Sequence, residues 1–289
     1  MPALRLIAAL LVVAVAGCGG SSGAGDGSDA SREVLASFYP LEYAAEEVGG
    51  PDLKVTNLTP PGAEPHDVEL TARDVSRIRN ADVVLYLGAG FQPAVADAAE
   101  QAQGTTVDLL EAIQLADAQD EETVADPHVW LDPMLYAQVV RRVASALGAP
   151  GRADALVRRL EQLDRDYREG LASCRRREIV TSHAAFGYLA SRYGLEQVPI
   201  TGVSPEAEPT PRDLEDAAER VRRSGATTVF FETLVSPRLA KTVARETGAT
   251  TGVLNPIEGL TEDEVTEGDD YFTIMRRNLA AVQTALGCR

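Results

Sequence analysis

The chain carries only three histidines, and each sits among turn-forming residues just past an apolar, strand-like run: Pro65-His66-Asp67, Asp126-Pro127-His128 and Ser182-His183-Ala184. Neutral imidazole is the commonest side-chain ligand of transition metals, and three imidazoles arriving from separate loops can share one ion. Loops at the carboxyl ends of strands are also where open α/β sheets collect their ligands. The spacings of 62 and 55 residues fit no local chelating motif. Placement alone therefore leaves three unrelated capping or surface histidines as the alternative.

Other chemistry-bearing side chains stay open in the same way. Glu232 follows the apolar run Thr228 to Phe231, and is either an orienting partner for the second nitrogen of an imidazole or a solvated strand-end carboxylate. Glu206 and Glu208, in a Pro-containing loop, are either cleft-lining or solvated. Trp130, beside His128, is expected to pack in the core and fix its loop. Cys174 and Cys288 are either a disulfide or two buried thiols, and a bridge is expected if the chain matures in an oxidising compartment. No His-Glu-x-x-His helix is present.

The elements that must position these groups alternate. Strands are predicted at Val34 to Phe38, Leu53 to Leu58, Val83 to Leu87, Glu178 to Thr181, Val198 to Ile200, Thr228 to Phe231 and Thr251 to Leu254. Helices are predicted at Glu42 to Val48 and Thr71 to Arg79. Further helices open at Asp132-Pro133, Thr210-Pro211 and Ser236-Pro237, each with a capping side chain ahead of a proline. Leu156, Leu160, Leu163, Tyr167 and Leu171 mark one long helix from Arg152 to Ser173, and Met275, Leu279, Val282 and Leu286 mark a last one. The expected fold class is α/β: two lobes with parallel sheets flanked by helices, joined by one long connecting helix. That helix lacks proline, and its one internal glycine, Gly170, lies in its last turn. Ligand capture is therefore expected to move loops rather than swing a lobe.

Composition narrows the function. The 289 residues include 27 Lys+Arg against 44 Asp+Glu, a formal net charge of −17, and this excess of carboxylates argues against a nucleic-acid partner. An aromatic content of 5% fits poorly with a pocket for a large chelate or cofactor. At the N-terminus, Arg5 precedes an apolar run from Leu6 to Ala16 that is too short to span a bilayer and reads as a secretory signal. Val15-Ala16-Gly17-Cys18 resembles a bacterial lipobox, with Cys18 the lipidated residue; ordinary cleavage after Ala14-Val15-Ala16 is the alternative. Nine of the 13 residues from Gly19 to Ser31 are Gly or Ser, as a flexible tether would require.

Four segments resemble signature stretches of the zinc- and manganese-binding lipoproteins of bacterial ABC metal importers. They are Gly62 to Glu69, Asp126-Pro127-His128-Val129-Trp130-Leu131-Asp132-Pro133, Thr181 to Leu189, and Glu267 to Leu279. The resemblance runs from about Val34 to Leu286. It implies an extracytoplasmic solute-binding protein that captures a divalent transition metal between two lobes and delivers it to an ABC import permease, with that permease and, through it, its ATPase as partners. It also implies His66, His128, His183 and Asp269 as ligands, with Asp270 as the cap of the last helix. Local sequence alone leaves Asp269 between ligand and cap. Three nitrogens and one carboxylate favour Zn2+ over Mn2+ as cargo. The acidic loop Ala116 to Asp126 has no His and is expected to be solvated.

The expected organisation is a signal peptide over 1–17, a tether over 18–32, a first lobe over 33–150, the connecting helix over 151–174 and a second lobe over 175–289. The protein is expected to be a monomer anchored by lipid to the outer face of the cytoplasmic membrane, and not an enzyme. The rival readings are a secreted zinc hydrolase, which needs an open coordination position, and a lipoprotein that binds a metal chelate or cofactor.

Overall fold

The computed structural model describes residues 32–116, 125–205 and 209–289. The readings of the signal, the lipobox Cys18, the tether up to Ser31, most of the acidic loop, and Glu206 and Glu208 lie outside these residues; Arg32, expected in the tether, donates to the Leu147 and Ala146 carbonyls, and Asp126, expected to be solvated, is buried against His128. The described residues form one compact unit.

Among the described residues, eight short strands make two sheets. The first holds β1 (Val34–Ala36), β2 (Val55–Asn57), β3 (Val83–Tyr86) and β4 (Thr105–Asp108) in the order β2-β1-β3-β4. The second holds β5 (Glu178–Thr181), β6 (Glu196–Pro199), β7 (Thr228–Phe231) and β8 (Thr250–Val253) in the order β6-β5-β7-β8. Every pairing is parallel, with Val34 opposite Val83 in the first sheet and Val180 opposite Val229 in the second. The central strands are buried on both faces, which is why they read as continuous apolar runs rather than as alternating ones. The edge strand β4, with two exposed threonines, carries no such signal and was not anticipated.

Alternate residues of each strand serve different cores. Leu35 and Val84 face a cluster with Ile78 and Val95, under α2 (Ala72–Asn80) and α3 (Pro93–Ala99). Val180 and Val229 face one with Val221 and Val243, under α7 (Pro211–Ser224) and α8 (Arg238–Thr247). The opposite residues, Val34, Val83, Leu85, Ile179 and Phe230, all join one continuous core that runs through both lobes. That core is filled by α1 (Tyr39–Gly49), α4 (Pro133–Ala146), α5 (Ala153–Leu171), α6 (Gly187–Tyr193) and α10 (Tyr271–Leu286); α9 (Glu262–Glu267) lies outside it.

The connecting helix α5 spans 19 residues, about 28 Å at 1.5 Å per residue. Leu156, Leu160, Leu163, Tyr167 and Leu171 are all buried, as their spacing requires. A side chain at Gly170 would collide with Gln283, whose Nε2 donates to the Gly170 carbonyl at 3.0 Å, so this glycine lets α5 and α10 approach closely. Asp132 caps α4 and Thr210 caps α7 through their side chains. In contrast, α8 begins one residue later than expected, with Pro237 at the cap position and no capping side chain. The sulfurs of Cys174 and Cys288 lie within bonding distance, joining the end of the connecting helix to the end of the chain.

Candidate metal centre

Each of the three histidines is placed by a different local device. His66 lies in the loop after β2, where Thr59 Oγ1 donates to the Ser37 carbonyl at 2.7 Å and the Gly62 N–H donates to the Leu260 carbonyl at 2.8 Å. The second of these bonds ties the first lobe's loop to the loop that follows β8. His128 is held by Asp126, whose Oδ1 accepts its backbone N–H at 2.9 Å and lies 2.8 Å from its Nδ1. The adjoining 3-10 turn, Val129–Leu131, is buried, and Trp130 Nε1–H donates across to the Pro256 carbonyl at 2.7 Å. His183 follows β5, its carbonyl accepting from Thr181 Oγ1 at 2.7 Å and Gln197 Nε2 at 3.0 Å. Its Nδ1 lies 2.8 Å from Glu232 Oε1, which also accepts from Ser182.

The structure brings these imidazoles together around Glu258. Their Nε2 atoms lie 3.5 Å (His66), 3.0 Å (His128) and 3.3 Å (His183) from one oxygen, Glu258 Oε1. One ligand atom from each of the four side chains lies within 4.8 Å of all the others. Tetrahedral zinc with bonds of about 2.0–2.2 Å would set its ligand atoms about 3.3–3.6 Å apart, so a small contraction or expansion of this group accommodates the ion. The group is almost dry: side-chain exposure is 8% for His66, 1% for His183 and 0% for His128 and Glu258.

Electrostatics also asks for a cation. Nδ1–H of His128 and of His183 is committed to Asp126 and Glu232, so a neutral ring turns the lone pair of Nε2 toward the Glu258 carboxylate. Only a proton or a metal between them reconciles acceptors that face one another. Burial opposes charge on His128, but hydrogen bonds to Asp126 and Glu258 outweigh it and raise its pKa. For His183, burial is overcome by the charges of Glu232 and Glu258, which hold its pKa well above the usual value. Burial would push Glu258 up, yet the charge of His183 and hydrogen bonds from the imidazoles keep it well below the usual carboxylate range. His66, without a carboxylate on its other nitrogen, is lowered by burial.

Asp269 does not join this group. It follows Gly268, the left-handed residue that ends α9; its N–H donates to the Glu264 carbonyl at 2.9 Å and its carboxylate is engaged by Arg277 of α10. Asp270 caps α10, accepting the Thr273 N–H at 2.7 Å. The fourth side chain gathered with the imidazoles is Glu258, which the sequence reading missed. It lies in Asn255-Pro256-Ile257-Glu258, a loop after a strand end like those of the histidines, and that shared placement was the available signal. The loop is set by Asn278, whose Nδ2 donates to the Asn255 carbonyl at 2.7 Å, and by Ile257 in the left-handed region at φ 57°. A β-branched residue rarely adopts that conformation, and here it turns Glu258 inward.

The family model described as zinc-uptake complex component A, periplasmic (ZnuA) matches residues 34–285. Zinc-binding protein AdcA of Streptococcus pyogenes serotype M3 is 32% identical, over 87% of this chain and 55% of its own length, so the chain spans about half of that relative. High-affinity zinc uptake system protein ZnuA of Bacillus subtilis is 32% identical over 98% of this chain and 97% of its own. The crystal structure of the Zn(II)-bound ZnuA-like domain of Streptococcus pneumoniae AdcA superposes with a TM-score of 0.75 at 33% identity, covering 89% of this chain and 99% of that domain. With two parallel four-stranded sheets and three imidazoles gathered at the ends of their strands, the chain belongs to the zinc-uptake complex component A family.

Proposed function

We propose that this protein captures Zn2+ outside the cytoplasm and hands it to an ABC import permease, with His66, His128, His183 and Glu258 as the four ligands. One observation carries the reading: three imidazoles and a carboxylate, drawn two from each lobe, converge within 4.8 Å in an almost fully buried place. Three nitrogens and one oxygen suit zinc better than manganese, which prefers oxygen donors. With four protein ligands no coordination position is left for an activated water, which speaks for carriage rather than hydrolysis. The relatives' names point the same way, and one of them is called a zinc-binding lipoprotein. A signal over 1–17, lipidation at Cys18, a tether over 18–32 and a monomeric state complete the proposal and set the protein on the outer face of the membrane. Calorimetric titration of metal-stripped protein tests it: zinc should bind tightly in the parent and far more weakly in His128→Ala, and a parent that fails to bind zinc would overturn it.

A further inference from the structure

Three carboxylates beside the imidazoles share a pattern that a single zinc ion does not use. Oε1 of Glu258 faces the imidazoles, Oε1 of Glu232 takes His183 and Ser182, and Oε1 of Glu64 accepts the His66 backbone N–H at 3.1 Å. In each, the other oxygen, Oε2, is buried and lacks a hydrogen-bond partner among the described residues. One oxygen from each of the three lies within 4.8 Å of the others. The Glu232 and Glu258 side chains are 1% and 0% exposed. Buried ionised carboxylates with unfilled oxygens are costly, and three of them against one divalent ion leave a negative charge uncompensated in a dry place.

We propose that Glu64, Glu232 and Glu258 form a second divalent-cation position, made of carboxylate oxygens alone and sharing Glu258 with the imidazole group. Glu258 would bridge, Oε1 toward the nitrogen-rich position and Oε2 toward the oxygen-only one. Such a donor set selects a hard cation of the manganese, magnesium or calcium class. Metal ions bridged in this manner sit roughly 3.5–4 Å apart. The inference rests on the reading of the imidazole group as the zinc position.

The test is equilibrium dialysis of the purified full chain, stripped of metal, loaded with one equivalent of zinc and then equilibrated with manganese(II), followed by elemental analysis. One zinc and one saturable manganese per chain are expected. In Glu64→Gln, whose amide oxygen can still accept the His66 N–H, the zinc should remain and the manganese should bind at least about tenfold more weakly. Anomalous diffraction at the manganese edge from parent crystals should give a peak among the three carboxylates. No manganese uptake, or uptake unchanged in Glu64→Gln, would overturn the second position while leaving the first standing. A parent that retains no zinc would overturn both.

Discussion

Nε2 of His128 lies 3.0 Å from Oε1 of Glu258, although 130 residues separate them and they belong to different lobes. The contact exists because Trp130, two residues from His128, donates to the carbonyl of Pro256, two residues before Glu258. The same indole sits edge-on to Phe38, with ring centroids 4.9 Å apart, inside the core common to both lobes. The site is thus assembled by packing that forms with the fold.

The identity of the fourth ligand separates two acidic residues. Structural zinc sites bind with roughly 10–16 kcal/mol, so one ligand of four is worth about 2.5–4 kcal/mol, or on the order of 100- to 1000-fold in affinity. Glu258→Ala should show a loss of that order, as should each histidine variant. Asp269→Asn should bind zinc like the parent, since its carboxylate serves Arg277. Competition against a zinc-chelating dye measures both, and a large loss in Asp269→Asn would return that residue to the site.

The carboxylates behind the imidazoles should matter less, but measurably. Asp126→Asn and Glu232→Gln each weaken the partner that fixes an Nδ1–H, and changes of this kind typically cost 10- to 100-fold in metal affinity. Nitrogen NMR of the rings should show a mixed tautomer population in the variants and a single Nδ1–H tautomer in the zinc-loaded parent.

Zinc binding should weaken as pH falls, beginning above the free-imidazole pKa of about 6.5. His128 and His183 hold their protons to higher pH than a free imidazole does, because the neighbouring carboxylates outweigh burial. A raised pKa in the metal-free protein means more protons bound at a given pH, and zinc must displace them. Glu258, held low, offers no proton competition over that window. Calorimetry in buffers of different ionisation enthalpy should record proton release on binding near neutrality; affinity independent of pH between 8 and 6 would contradict the protonation scheme.

Loading should leave the overall shape nearly unchanged. The buried stripe of α5 lies in the core shared by both lobes, and α5 has no proline to hinge on. Small-angle scattering with and without zinc should give the same radius of gyration, with hydrogen-exchange protection confined to the loops that carry the ligands. A marked contraction on loading would sink this expectation.

Reduction should destabilise the chain terminus. The Cys174–Cys288 bridge closes a loop of 114 residues, for which the chain-entropy model gives up to ~4.7 kcal/mol at about 100 residues. Thermal unfolding with and without a reductant reads the difference, and thiols that titrate in unfolded, unreduced protein would show that no bridge had formed.

The parts of this molecule that were legible in sequence are those whose signal is local and periodic. Thr228–Phe231 and Glu178–Thr181 are apolar strands buried on both faces, and Asp132-Pro133 and Thr210-Pro211 are capped helix starts; all four sit where the pattern places them. Short helices such as α6 and α9 were missed because two turns or fewer carry too little periodicity. The histidines stood out by scarcity and placement. Glu258 did not, because carboxylates are abundant in this chain and its inward turn depends on a left-handed Ile257 and a distant Asn278, neither of which leaves a pattern around the residue itself.

The donors divide two and two between the halves of the chain, His66 and His128 from one and His183 and Glu258 from the other. An ion held by all four is therefore also a removable staple between sequence positions 192 residues apart. Because the unfolded chain cannot reproduce that grip, mass action adds about 2.7 kcal/mol to the folded state when free zinc exceeds its dissociation constant a hundredfold. On the proposed reading the ion would thus guard the protein that holds it: a loaded molecule should resist unfolding and proteolysis better than an empty one, and lose that protection when it gives up the ion.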